Sequence, residues 1–241
     1  MTENGKVLWV TGAGSGMGRA AALSAAAAGW RVALSGRREE ALREVAGAIE
    51  AAGGEAFVAP IDVTRSVEVT GAFDALYAHF GRLDALVLAA GLNAPERTWA
   101  DQSVRRFEEI VDVNLTAVAR VIDASLPALR DARGVVVIVS SYSAWRFSPG
   151  AGVAYSASKS ALAAVAATLN QQEGASGVRA CHLCPGDVDT GFLSLRPNVP
   201  GDEARAAMLS PDDVARAIRF VLDAPPHVRI DELVVSPVSQ R

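Results

Sequence analysis

Short runs of β-branched residues alternate with alanine-rich segments of helical period along this 241-residue sequence. The runs predict seven strands, at 6–10, 31–35, 56–60, 85–89, 135–140, 179–183 and 232–236. The segments between them predict helices at 17–28, 39–52, 67–80, 104–129, 155–174 and 211–223. Because parallel strands need crossover connections, the alternation predicts an α/β fold with a doubly wound, mostly parallel, seven-stranded sheet flanked by helices.

Length and composition limit the classes of function. The sequence suits a single domain over residues 1–241, since no repeat, low-complexity tract or linker divides it. The formal net charge of -4, without a block of Lys or Arg, argues against a nucleic-acid partner. No targeting segment or apolar stretch of membrane-spanning length is visible, which predicts a soluble, cytoplasmic protein without a membrane partner.

The two cysteines, Cys181 and Cys184, form a CxxC within a predicted strand. Residues three apart in a strand point to opposite faces, and a single ligand pair does not make a zinc site. Both are therefore expected to be core thiols. His79, His182 and His227 are scattered along the sequence, and no metal is expected.

The stretch TGAGSGMG, residues 11–18, follows the first predicted strand. Glycine lets the backbone turn tightly and approach a ligand closely, and the N-terminus of the next helix suits a pyrophosphate. The spacing departs from G-x-G-x-x-G, because Met17 stands where the third glycine belongs. The turn indicates a Rossmann-type dinucleotide site, and the alternative is a tight turn with a small-residue packing face.

Tyr155 and Lys159 are four residues apart in a helical pattern and share one face. Ser141 follows a predicted strand, at the sheet edge where α/β folds bind ligands. A tyrosine can exchange the proton of an alcohol/ketone pair if its pKa falls from about 10 toward neutrality. A lysine at about 4 Å supplies about 4 kcal/mol at an effective dielectric constant near 20, so Lys159 is expected to lower the pKa of Tyr155. Ser141 is expected to hydrogen-bond the substrate oxygen.

These motifs give the chain a resemblance, over essentially its whole length, to the short-chain dehydrogenases/reductases. The motifs occur in the family's order: TGAGSGMG, IDVT at 61–64, VNL with Asn114, SS with Ser141, YSASK with Tyr155 and Lys159, and PGDVDT at 185–190. The resemblance implies a catalytic tetrad of Asn114, Ser141, Tyr155 and Lys159, with the helix around Asn114 kinked to hold a water of a proton relay. It also implies that Val188 and Thr190 hold the nicotinamide carboxamide.

Residue pattern and resemblance together predict the cofactor site. Its residues are Gly12, Ser15, Gly16, Met17, Gly18, Arg37, Arg38, Asp62, Val63, Ala89, Gly91, Tyr155, Lys159, Pro185, Gly186, Val188 and Thr190.

The chain departs from the family pattern in two places. Leu88-Ala89-Ala90-Gly91 stands where the family usually has Asn-Asn-Ala-Gly, which implies weaker cofactor binding, with the carbonyl of Ala89 still able to reach the ribose. The interval from Ser141 to Tyr155 is one residue longer than usual, so Ser143 is a second candidate for the carbonyl-binding serine.

The second predicted strand ends in LSGRREE, with Gly36 where an NAD site places an acid. Arg37 and Arg38 follow it, and a guanidinium suits the 2′-phosphate of NADP(H). NADP(H) is therefore the predicted cofactor. NAD(H) is the alternative, with Glu39 or Glu40 as the ribose acid.

Substrate identity is less constrained. Residues 191–209 have the composition of a mobile substrate lid. An apolar or aromatic pocket is expected, and its candidate residues are Trp99, Tyr142, Trp145, Phe147 and Phe192. Arg146 and Arg196 are candidates for an anionic group, although a solvated arginine is the alternative for each.

The sequence thus predicts an NADP(H)-dependent oxidoreductase that transfers a hydride between the nicotinamide and a ketone or secondary alcohol. The alternative is a non-catalytic NADP(H)-sensing or scaffold protein on the same fold. Helices rich in small residues, together with the resemblance, predict a homotetramer, or at least a dimer.

Overall fold

The computed structural model describes residues 5–240 and contains a seven-stranded sheet. The strands are β1 (Val7–Thr11), β2 (Arg31–Gly36), β3 (Ala56–Pro60), β4 (Ala85–Leu88), β5 (Val135–Val139), β6 (Arg179–Pro185) and β7 (Glu232–Val235). Their order is β3-β2-β1-β4-β5-β6-β7, and every pair is parallel. The predicted doubly wound sheet is confirmed, and it is wholly parallel.

The helices are α1 (Gly16–Ala27), α2 (Glu39–Ala51), α3 (Ser66–Phe80), α4 (Val104–Val111), α5 (Ala117–Ala132), α6 (Tyr142–Trp145), α7 (Val153–Glu173), α8 (Asp202–Ala206) and α9 (Pro211–Leu222). The prediction of a single helix at 104–129 was wrong. A π-helical segment, Asp112–Thr116, separates α4 from α5, and α5 continues to Ala132.

Apolar layers cover both faces of the sheet. Helices α1, α2 and α9 contribute Ala25, Leu42 and Ile218 to one layer. Helices α3, α5 and α7 contribute Leu76, Val121 and Leu162 to the other. All five residues of β1 and of β5 are buried, as expected for strands of a parallel sheet covered on both sides.

The central strand β1 lies between β2 and β4. The chain changes direction of progress through the sheet at this point, and such switch points open a crevice at the carboxyl ends of the strands. The carboxyl edge is therefore where a ligand site is expected.

The opposite, amino edge of the sheet carries the helix-to-strand turns. Five of these turns contain a residue with positive φ: Gly29, Gly53, Gly81, Arg133 and Gly177. A left-handed residue ends a helix compactly and lets the chain turn back into the sheet, which usually requires glycine. Arg133 is the one non-glycine residue with positive φ in 5–240.

Within the described part of the chain, every helix falls short of the length and apolar character needed to cross a membrane.

Candidate active site

A cleft of about 1190 Å³ runs along the carboxyl edge of the sheet. Every predicted cofactor residue lines it, from Gly12 in the first turn to Thr190 after β6. Ser141, Tyr155 and Lys159 also line it, whereas Asn114 is fully buried behind its wall. The structure thus brings together residues that lie far apart in the sequence.

The glycine turn serves both packing and approach. A Cβ on Gly12, whose φ is +69, would lie 2.8 Å from the backbone of Ala89, and a Cβ on Gly18 would lie 2.4 Å from the carbonyl oxygen of Gly12. Helix α1 begins at Gly16, and neither a side-chain cap from Ser15 nor an acidic residue occupies its first turn. Its N-terminal N–H groups therefore suit an anionic ligand such as a pyrophosphate.

At the far end of the cleft, Arg37 and Arg38 follow β2 and are exposed. Glu39 is paired with Arg43 at 2.5 Å, and neither Glu39 nor Glu40 lines the cleft. This end of the cleft therefore presents two guanidinium groups and no carboxylate from Glu39 or Glu40.

Asp62 follows β3 on the same side of the cleft. Burial raises its pKa, but hydrogen bonds from the N–H and the hydroxyl of Thr64, with the charge of Arg37, outweigh burial and hold the pKa below its usual value. Asp62 is thus an ionised acceptor that Thr64 fixes in place.

Ser141 caps the short helix α6 directly after β5. Its Oγ accepts hydrogen bonds from the N–H of Ser143 at 3.2 Å and from the Ser143 hydroxyl at 3.1 Å. Ser143 is buried but also lines the cleft. Both candidate serines therefore border the cleft, and Ser141 is the one whose side chain acts on the pKa of the Tyr155 phenol.

Lys159 is 4% exposed and lies one helical turn after Tyr155 on α7. Its Nζ donates to the carbonyl oxygen of Val139 at 2.9 Å and lies 5.9 Å from the centroid of the Tyr155 ring. Among the described residues it has no carboxylate partner within ion-pair distance. Burial accordingly lowers the pKa of Lys159 to about 8.

The expected lowering of the Tyr155 pKa is not found. Burial raises the pKa of the phenol above its usual value, although the Ser141 side chain and the charges of Arg97 and Arg196 act to lower it. Loss of solvation outweighs these favourable contacts. The cations with the largest effect are Arg97 and Arg196, rather than Lys159.

Asn114 lies in the π-helical segment, which agrees with the predicted kink. Its Oδ1 accepts from the N–H of Leu92 at 2.7 Å, and its Nδ2 donates to the carbonyl of Leu92 at 2.9 Å and to Ser158 Oγ at 3.1 Å. A Cβ on Gly91 would lie 3.6 Å from Asn114 Oδ1 and 3.8 Å from Lys159 Nζ. Asn114 thus fastens the chain after β4 to helix α7, next to the lysine.

The segment after β6 closes the other end of the cleft. Val188 forms a bridge with Leu209, and the Thr190 hydroxyl accepts from the N–H of Phe192 at 3.2 Å. Gln240 accepts from the N–H of Asp187 at 2.8 Å and lines the cleft. Gln240 was not predicted, because no motif surrounds it.

The expected aromatic pocket is found only in part. Tyr142 and Phe192 line the cleft, whereas Trp99, Trp145 and Phe147 do not and are 84%, 49% and 80% exposed. In the predicted lid, residues 191–198 line the cleft and 199–209 do not. Three charged residues, Arg97, Asp187 and Arg196, also line the cleft. Arg97 was missed, although its place after β4 put it at the ligand-binding edge.

Both cysteines are buried and free, as expected of core thiols. Burial raises the pKa of each to about 12. His182 is less isolated than its sequence position suggested, because its Nδ1 lies 3.0 Å from Glu232 and 3.5 Å from Cys184 Sγ. A thiol with a raised pKa is a weak metal ligand, since metals bind the thiolate.

A parallel switch-point sheet, a glycine turn at a helix N-terminus and a Ser-Tyr-Lys cluster beside it are together typical of dinucleotide-dependent oxidoreductases. The model of the short chain dehydrogenase family matches residues 6–198, and the chain belongs to this family. Its activity is that of a nicotinamide-dependent oxidoreductase, and a non-catalytic role is not favoured.

Similar proteins agree with this assignment. The chain is 33% identical over 240 residues to glycine betaine reductase of Emericella nidulans, covering 97% of this chain and 19% of that protein's length. An alcohol dehydrogenase from Thermococcus sibiricus complexed with 5-hydroxy-NADP superposes with a TM-score of 0.88 at 32% identity, covering 98% of both chains. A 3-ketoacyl-(acyl-carrier-protein) reductase from Brucella melitensis complexed with NADH superposes with a TM-score of 0.88 at 27% sequence identity, covering 96% of this chain and 97% of that one.

Proposed function

We propose that the protein is an NADP(H)-preferring oxidoreductase of ketones and secondary alcohols. The observation that carries this proposal is the convergence of Ser141, Tyr155 and Lys159 in the cleft that begins at the glycine turn. Phenol, hydroxyl and ammonium are the groups that hold a carbonyl oxygen and exchange its proton.

Each side chain has a distinct role in this proposal. The phenol of Tyr155 gives its proton to the substrate oxygen in reduction and takes it back in oxidation. Because burial raises its pKa, the phenol is protonated at neutral pH, which is the form that reduction needs. Ser141 hydrogen-bonds the substrate oxygen as negative charge develops on it, and the Lys159 ammonium stabilises the phenolate that remains.

The residues along the cleft fit a nicotinamide dinucleotide. The N–H groups in the first turn of α1 would bind the pyrophosphate. Asp62 and Val63 would contact the adenine, and Ala89 and Gly91 would contact the ribose. The segment from Pro185 to Thr190 would hold the nicotinamide. When bound, the reduced cofactor supplies the hydride. The preference for NADP(H) is supported by the exposed guanidiniums after β2 and by the absence of Glu39 and Glu40 from the cleft wall.

We infer that the protein assembles as a homotetramer. Helix α7 carries a row of small exposed residues, Ala157, Ser160, Ala164 and Ala167, at intervals that keep them on one face. Small side chains allow two helices to approach closely.

The cytoplasmic location stays a prediction, which cell fractionation tests.

The experiment that tests the function is an assay of the purified protein against a panel of ketones and secondary alcohols. Turnover is followed at the nicotinamide absorbance with NADP(H) and NAD(H) in parallel. Turnover with NADPH exceeding that with NADH supports the proposal. Failure of the whole panel with both cofactors would contradict it.

A further inference from the structure

Arg97 is held in the cleft by three main-chain contacts from separate segments. Its Nε donates to the carbonyl of Ala94 at 3.0 Å, its Nη1 to Gly150 at 2.8 Å and its Nη2 to Leu195 at 2.8 Å. Five N–H groups belong to a guanidinium, so one remains on each terminal nitrogen. Within residues 5–240, Arg97 makes no ion pair. The group is thus a fixed cation with donors to spare.

The neighbouring charges do not neutralise Arg97. Arg196 also lines this part of the cleft, and its Nη2 lies 2.5 Å from Asp187 Oδ1, with Nη1 3.5 Å from Oδ2. The charge of Asp187 is therefore matched by Arg196. Two guanidiniums and one carboxylate leave a single positive charge.

This charge lies on the same side of the cleft as the catalytic phenol. Both guanidiniums are close enough to Tyr155 to act on its ionisation, and burial lowers the pKa of Arg97 itself. A half-buried cation paired only with carbonyl oxygens costs solvation free energy, which an anion of single charge would recover.

We propose that the substrate carries a carboxylate, which Arg97 binds with support from Arg196, while its oxo or hydroxyl group lies at Tyr155 and Ser141. The proposal rests on the proposed function and narrows its substrate class to oxo or hydroxy acids. A carboxylate matches the single positive charge, and its planar oxygens match a guanidinium.

The test compares acids with their esters. The wild type and Arg97→Gln are assayed with 2-oxopentanoate, 3-oxobutanoate and 4-oxopentanoate and with their methyl esters, which keep the reacting carbonyl and remove the charge. Loss of a charge-assisted contact predicts a fall of about 10- to 150-fold in kcat/KM for the preferred acid, mainly through KM, with the ester little changed. Arg146→Gln, on the exposed rim outside the cleft wall, is the matched control and should change neither.

Two outcomes of the activity assay would overturn the proposal while leaving the proposed function standing. One is wild-type turnover of esters that exceeds turnover of the acids. The other is an equal loss for acid and ester in Arg97→Gln, which would make Arg97 a structural tie between loops. Calorimetric titration of the NADPH complex with acids and esters measures binding without turnover. If the acid binds more tightly than the ester and Arg97→Gln removes the difference, the proposal is supported even if the protein reduces neither compound. Equal binding of acid and ester overturns it.

Discussion

At the scale of single residues, the cleft contains polar groups whose burial destabilises the fold but whose chemistry the proposed reaction needs. Lys159 is almost wholly inaccessible, with a main-chain carbonyl as its hydrogen-bond partner. Tyr155 carries a pKa that burial raises. Such groups persist where function requires them and stability alone would not select them. Substitutions at Tyr155 and Lys159 separate the cost of burial from the chemistry, and a third, at Arg37, tests the choice of cofactor.

Tyr155→Phe removes the proton donor and leaves the ring in place. We expect a fall in kcat of about 10²- to 10⁴-fold, because positioned proton transfer contributes that much. The measurement is steady-state turnover of a responsive ketone, with the far-ultraviolet circular dichroism spectrum as the control for folding. Retention of more than about a tenth of the wild-type rate would exclude Tyr155 as the acid.

Lys159→Met should abolish most activity yet raise stability at pH 7. Burial lowers the pKa of Lys159 from 10.5 to about 8, which corresponds to roughly 3 kcal/mol of destabilisation wherever the lysine is charged in both states. Between pH 8 and 10.5 the unfolded chain binds more protons than the folded one, so this cost declines as pH rises.

Thermal unfolding of wild type and Lys159→Met at pH 7, 8 and 9 measures this effect. The variant's advantage in Tm should be largest at pH 7 and shrink toward pH 9. Lys6→Met removes an exposed ammonium that lies over the Trp30 ring, and it should lower the free energy of unfolding by no more than about 1 kcal/mol. A Lys159→Met variant less stable than wild type at pH 7 would contradict the expectation.

Arg37→Ala tests how the cofactor is read. Loss of a charge-assisted contact to phosphate, worth about 1.5–3 kcal/mol, should weaken NADPH binding by roughly 10- to 150-fold and leave NADH binding nearly unchanged. Fluorescence titration with both reduced cofactors gives the two affinities. Arg65→Ala is the control, since Arg65 also acts on Asp62 but lies outside the cleft wall. Equal losses for the two cofactors would mean that Arg37 supports the loop, and tighter binding of NADH by the wild type would reverse the predicted preference.

At the scale of elements, the period of apolar residues located the strands and most helices to within two residues. It failed between α4 and α5, because one extra residue in a π-helical turn leaves the apolar pattern almost unbroken. The motifs placed the cofactor turn, the phenol and the lysine in one cleft. Arg97 lies outside every motif, and its position depends on contacts with Gly150 and Leu195 that are distant in sequence.

Asn114→Ala tests the π-helical segment. The substitution removes hydrogen bonds to both main-chain groups of Leu92 and to Ser158. Leaving buried partners unsatisfied should lower the free energy of unfolding by about 1–3 kcal/mol, measured by urea denaturation. Thr116→Ala, in the same segment but exposed, is the control. A loss of stability equal to that of Thr116→Ala would show that Asn114 does not fasten the segment.

At the scale of the whole molecule, the row of small residues on α7 gives a test of assembly. Four chains of 25.0 kDa would give a particle of about 100 kDa in light scattering. Ala164→Arg places a long charged side chain on that row and should yield smaller species. Ala48→Arg, on the exposed side of α2, should not. A wild type that scatters as a single chain at micromolar concentration would refute the tetramer.

The two edges of the sheet differ in what they contain. The residues of the candidate site lie at the carboxyl edge, in the loops above it or on the helices that border it, while the five turns with left-handed residues, from Gly29 to Gly177, lie at the other edge. Peptide tags, fluorescent reporters or surface anchors inserted at the amino-edge turns would be separated from the cleft by the length of the strands. For biotechnology, this edge is the natural place to attach such additions, and the carboxyl-edge loops are the natural place to alter specificity.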